Sequence, residues 1–140
     1  MRRRNTGPSR EVIELVRERA GGRCERCAWL LHAGGEIHHR VPRGMGGTRL
    51  AWINRPPNLV HICLPCHRWA ESYRSSALDT GWLVFRRRNP VEIPIHSVLH
   101  GVVLLTDDGR IIPVSQADSA DVTPIVTRDS PNVFVEGGAQ

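Results

Sequence analysis

Lysine is missing from this sequence: all 19 basic residues among its 140 are arginine. Two readings of that absence stand side by side. Arginine offers a planar fork of donors suited to bidentate phosphate contacts, and a GC-rich genome also favours arginine codons. Long apolar runs are missing too. No window approaches the ~18 apolar residues of a membrane span, and no apolar stretch follows the basic start MRRRNTGPSR, as a secretory signal would require. The expectation is a soluble protein of the cytoplasm. Hydrophobic content is only 40%, low for a large core, and a small fold of this kind often needs a disulfide or a metal as a staple. No internal repeat is present.

What is there is positive charge, unevenly spread. The net charge is +5 and the pI about 9.8, which favours an anionic partner such as nucleic acid. Residues 116–140 hold one arginine against three aspartates and one glutamate, a net −3, which leaves +8 on residues 1–115. The first 115 residues therefore look like the part that meets nucleic acid, with RRR clusters at 2–4 and 86–88.

The chain divides into four expected parts. Residues 1–7 read as a basic flexible arm, 8–80 as the main domain, 81–115 as a β extension and 116–140 as a polar, acidic, mostly disordered tail. PSREVIELVRERAGG has the ends of a helix: Pro8 or Ser9 at its start, acids early, arginines late, and Gly21 as its stop. Its apolar stripe is Val12, Ile13, Leu15, Val16 and Ala20. EIHHRV and NLVHIC read as short strands on either side of a loop rich in glycine and proline, and LPCHRWAESYRSSA as a helix. Strand, glycine loop, strand and helix make one unit across 36–78. Farther on, WLVF reads as a strand, VEIPI as a short extended piece and GVVLLTDDGRIIPV as a hairpin turning at Asp108-Gly109. The fold class is α+β.

Four cysteines carry the strongest motif. Cys24 and Cys27, then 35 intervening residues, then Cys63 and Cys66, make two C-x2-C pairs. Four thiolates at such spacing suit tetrahedral structural Zn2+. Reduced free cysteines and disulfides are the alternatives, and a reducing compartment disfavours the second. A zinc saturated by four thiolates has no open position and does no catalysis.

Between and beside these pairs lie His38-His39, Asn58 and His67. In IHHRVPRGMGG, NLVHIC and LPCHRWAE the sequence resembles the HNH endonuclease family, and most closely its four-cysteine members encoded by actinobacterial phages. The likeness covers roughly residues 20–115 and is strongest over 24–85. One departure is that many of those phage proteins carry a longer insertion between the last two cysteines, where this chain has only Leu64 and Pro65. The resemblance implies a zinc-stapled ββα-metal (His-Me finger) fold around one divalent ion, Mg2+ or Mn2+, and hydrolysis of DNA phosphodiesters. It implies His39 as the general base, His38 and His67 as ligands of the catalytic metal, and Asn58 as the residue whose amide ties down the loop carrying the base. It also implies a role beside the phage terminase in DNA packaging. Glu71, one helical turn after His67, is a candidate third ligand, directly or through water, and equally a solvated helix glutamate. Arg40, Arg43 and Arg49 flank the glycine loop as candidate phosphate contacts, although a solvated surface role suits each arginine as well. His32, His61, His96 and His100 are left outside the site. Trp52, Trp69, Tyr73 and Trp82 are assigned to core or interface, with Trp69 and Tyr73 on one packed helix face.

Two further readings remain open: a catalytically silent zinc-stapled module that binds nucleic acid, and a structural partner in a larger machine. The paired histidines and His67 separate the nuclease from both, because binding alone does not require them.

Overall fold

The computed structural model describes residues 6–44 and 50–114. Most of the basic arm, Arg49 with the end of the glycine loop, and the acidic tail lie outside the described residues. Helix α1, Arg10–Ala20, begins where Ser9 accepts a hydrogen bond from the Val12 amide and ends on Gly21, whose φ of 63° suits a residue without Cβ. Val16 and Ala20 are buried, while Val12, Ile13 and Leu15 are half-buried.

A tight loop follows. Arg23 bridges Leu30, and the Cys24 amide donates to Trp29 O at 2.7 Å. Strand β1, Glu36–His39, then pairs antiparallel with β2, Leu59–Ile62, so that His38 faces Val60 and His39 faces Leu59. Strand β2 is buried at every residue. Helix α2, Leu64–Ser72, starts from Cys63 with Pro65 in its first turn, where a missing N–H does no harm.

The expected single helix over 64–77 is two. Tyr73 leaves helical geometry at φ −115°, ψ 60°, and α3 runs Arg74–Asp79. The break brings the fully buried Ala77 to Trp82 and Leu83, whose amides both donate to its carbonyl. WLVF, expected as a strand, joins neither sheet. Gly81 ahead of it has φ +85° and a Cβ there would lie 2.0 Å from Pro94 O, so the chain makes a close crossing that only glycine permits. VEIPI divides between a helical turn, Pro90–Glu92, and the start of β3, Ile95–Ser97.

The extension is a three-stranded antiparallel meander of β3, β4 (Gly101–Leu105) and β5 (Ile111–Pro113), with the hairpin at Asp108-Gly109 as expected. The space beside Gly109 is filled by Leu15 of α1. Ile95, Val103 and Leu105 share one core with Val60, Ile62 and Trp82, so the extension is packed into the main body. The architecture is small and mixed α+β. No helix among the described residues is long and apolar enough to cross a membrane.

Two buried ionic features tie this core together. Glu25, with no exposure, meets Arg19 at 2.7 Å, accepts from the His61 amide at 2.8 Å, and lies 3.1 Å from His100 Nε2. Burial would raise its pKa, but His100 and Arg19 outweigh that and lower it. The carboxylate thereby joins α1, the first cysteine pair, β2 and the β3–β4 turn.

Arg40 is the second feature, and it corrects an expectation. It does not flank the loop as a phosphate contact, because its side chain is fully buried. Nε donates to Gly81 O at 2.6 Å, Nη1 to Pro57 O and Pro90 O at 2.8 and 3.2 Å, and Nη2 to Ile93 O at 2.6 Å. Four carbonyls from three segments thus converge on one cation. Arg40→Ala should take its donors from Gly81 O, Pro57 O and Ile93 O, while Pro90 O keeps the Ile93 amide at 3.1 Å. With about 1–3 kcal/mol for each buried carbonyl left unpaired, the expected loss is at least about 3 kcal/mol. A lower denaturant midpoint at unchanged slope would show it, and Arg40→Lys should recover only part, since an ammonium has no planar fork.

Candidate functional site

The sulfurs of Cys24, Cys27, Cys63 and Cys66 all lie within 4.8 Å of one another, and among the described residues this is the group of three or more such ligands placed so closely. Cys27 and Cys63 Sγ are 3.8 Å apart. Tetrahedral zinc with bonds of about 2.3 Å sets its sulfurs about 3.8 Å apart, so the donor set fits that ion. The Cys66 thiol, donating a hydrogen bond, lowers Cys24 to about 4, whereas burial first and neighbouring thiolates second raise Cys27 to about 11. Four thiols this close need a cation before all can ionise. Local folding delivers them: the 24–30 loop turns through Ala28 at φ 68°, the Cys27 amide donates to Cys24 Sγ at 3.4 Å, and the second pair sits at the start of α2. Arg26 donates to Cys66 Sγ at 3.3 Å and lies 3.4 Å above the Trp69 ring. Trp69 is buried there, as expected of the Trp69–Tyr73 face.

Strand β1, which carries the two histidines, packs directly against α2. His38 shares a strand face with Glu36, turned toward α2. Its ring centroid is 5.1 Å from that of His67, and its Nε2 is 2.9 Å from Trp82 O. A carbonyl only accepts, so Nε2 carries the proton and Nδ1 keeps its lone pair. Burial lowers the His38 pKa to about 4, and the charge of His67 adds to this, so the ring is neutral around pH 7. His67 lies between two carboxylates, with Nδ1 2.6 Å from Glu36 and Nε2 3.3 Å from Glu71. The Glu71 pairing follows from helix spacing. Glu36 was not singled out from the sequence, although its alternation with His38 on one strand face was a signal available there. His38, His67 and Glu71 are neighbours, but as a set their ligand atoms are not within 4.8 Å of one another.

His39 has different surroundings. Strand β1 ends on it, and its Nε2 meets Asn54 Oδ1 at 2.8 Å. The Asn54 amide is oriented by its own donation to Thr6 O at 2.8 Å. Nε2 therefore carries the proton, and Nδ1 is left as the basic atom. Burial lowers the His39 pKa, Asn54 opposes that, and the charge of Arg43 adds to it. Such an imidazole is a neutral base near pH 7. Asn58 is wholly buried: Oδ1 accepts from the Val41 amide at 2.7 Å, and Nδ2 donates to Val41 O at 3.2 Å and Ile53 O at 2.8 Å. Both ends of the loop after His39 are clamped by that one side chain. Asn54, and not Asn58, is the asparagine that touches the histidine.

Arg43 is half-exposed and bonds through Nη2 to the Thr6 hydroxyl. Of the three nominated arginines it is the one observed beside His39, since Arg40 is buried and Arg49 lies outside the described residues. Comparison with protein-family models, curated proteins and solved structures returned no match.

Proposed function

We propose that this chain is a metal-dependent DNA endonuclease of the HNH type, with zinc among its four cysteines as a structural staple. The observation that carries the reading is the division of labour between adjacent histidines. His39 has its tautomer set by Asn54, which leaves Nδ1 as a base, while His38 keeps a free Nδ1 close to His67. The unit of β1, loop, β2 and α2 supports a ββα reading, and the positive charge of residues 1–115 supports a DNA substrate.

A divalent ion at His38 and His67, with Glu71 or Glu36 reached through water, would neutralise the phosphate and the leaving oxygen. Hard oxygen donors and retained water suit Mg2+ or Mn2+ there, as thiolates suit zinc. His39 Nδ1 takes a proton from water as the oxygen attacks phosphorus; the bond from phosphorus to the leaving oxygen breaks, and that oxygen takes its proton from solvent. The resulting imidazolium keeps its Nε2–H on Asn54 Oδ1. Asn58 holds the loop so that the ring does not drift, and Arg43 is placed to meet an adjacent phosphate.

A second reading, a zinc-stapled binding module without cleavage, is favoured by one observation. Both His67 nitrogens are already engaged by carboxylates. Conversion of supercoiled plasmid to nicked or linear forms separates the two. The expected result is cleavage with Mg2+ or Mn2+ and none with EDTA. Tight plasmid binding without cleavage under any of these metals would favour the silent module. A place beside the phage terminase in DNA packaging belongs to the same proposal, and the gene neighbourhood tests it.

A further inference from the structure

Residues 82–88 follow the histidine strand step for step. Trp82 O receives His38 Nε2 at 2.9 Å, and the Val84 amide donates to Arg40 O at 2.9 Å. A Cβ on Gly44 would lie 3.7 Å from Arg86 Nη1, so that guanidinium rests against the loop leaving His39. WLVF is thus a rail laid beside β1 and its loop, and its end delivers a turn. The Arg88 amide donates to Phe85 O at 2.9 Å to close that turn, and Phe85, Arg86, Arg87 and Arg88 are all exposed. Arg87 sits 5.3 Å from the Phe85 ring centroid, which aims one guanidinium by cation–π contact. Three consecutive arginines could bring at most three full charges to one small patch.

We propose that the Phe85–Arg88 turn is a phosphate grip that seats duplex DNA across the His39 loop, holding backbone phosphates next to the one cleaved. This inference rests on the nuclease reading and adds a substrate contact from the extension to that of Arg43 in the strand–loop–strand–helix unit. The chemistry is suited to it: guanidinium forks match phosphate oxygens, and the rail keeps the turn in register with the catalytic loop. Arg40, the arginine next to the histidines in sequence, is turned inward to hold this rail and does not contribute. The contact forms equally in the ground state and the transition state, so it governs binding and not the chemical step.

The test uses the full-length zinc protein with Arg86→Ala/Arg87→Ala/Arg88→Ala, and separately the single charge reversal Arg87→Glu. Binding to a fluorescent duplex is followed against NaCl with Ca2+ in place of the cleaving metal. The triple variant is expected to lose tenfold or more in affinity, and its log–log salt slope should fall by ~0.9 for each phosphate that is no longer neutralised. Plasmid nicking should show raised KM with kcat within about twofold. Hydrolysis of bis(4-nitrophenyl) phosphate, too small to reach the turn, should match wild type and report an intact site. If the triple variant misfolds, Arg87→Glu carries the same expectation at smaller size. Wild-type affinity and salt slope in a folded variant overturn the grip. A wild-type protein that binds duplex but never nicks overturns the nuclease reading instead, and the salt slopes still decide whether the turn holds phosphate.

Discussion

One zinc ion per chain, removable only with loss of structure, is the expected result of metal analysis on the purified protein. Cys24 and Cys66 are buried within the same core as Val60, Ile62 and Trp69, so the staple is inside the hydrophobic cluster and not beside it. Around it the 24–30 loop is held by a bridge and a few amide bonds, and α2 begins directly on Cys63. Structural zinc sites in small peptides contribute an apparent ~10–16 kcal/mol near neutral pH, as much as the whole stability of an ordinary domain, about 5–15 kcal/mol. A strong chelator should therefore unfold much of residues 22–78 and expose four titratable thiols. Cys24→Ser or Cys66→Ser should do the same without chelator, and the half-buried Cys63 should tolerate change no better, because removing one thiolate opens the ion to water. The unfolding should register as loss of circular dichroism and of tryptophan burial, since Trp69 lies on this cluster. A folded protein with four free thiols and no zinc would refute the staple.

His39→Ala is expected to remove most cleavage while leaving DNA affinity and metal affinity near wild type. Loss of a general base typically lowers the rate by a factor on the order of 10²–10⁴. His38→Ala and His67→Ala should act differently: each would remove a proposed ligand of the catalytic ion, so each should shift the Mg2+ or Mn2+ requirement upward and recover part of its activity at high metal. Asn54→Ala should fall between wild type and His39→Ala, because water can replace the amide on Nε2 but does not fix the ring. The readout is a metal titration of plasmid nicking for the four variants together. Equal rescue of His39→Ala and His38→Ala by metal, or wild-type cleavage by His39→Ala, would show that the two histidines do not divide the work this way.

Much of the candidate site could be named from sequence because its signals are short-range. The C-x2-C pairs, the His38-His39 doublet and the i,i+4 step from His67 to Glu71 are spacings of four residues or fewer. Helix α1 was legible for the same reason, through Ser9 and Gly21 at its ends, and the Asp108-Gly109 hairpin through its turn residues. Where reading by local pattern went wrong, a distant partner had overruled the pattern. WLVF has the composition of a strand, yet Gly81 must pass within contact of Pro94, and the rail that follows gives its hydrogen bonds to Arg40 and Ala77 instead of to a sheet. Arg40 looked like surface charge because arginine usually is.

The sequence by itself determined the four-cysteine spacing, the histidine pair, the helix ends and the basic balance of the first 115 residues, all of them properties of neighbouring residues or of composition. Only the tertiary structure decided which arginine is buried, which asparagine holds His39, and that Glu25 joins Arg19 to His100. The reason is physical. A buried charge is admitted only where other segments supply its hydrogen bonds, and those segments lie far away in sequence: Arg40 meets Ile93, Glu25 meets His100, and His39 meets Asn54 across a loop whose closure depends on Asn58.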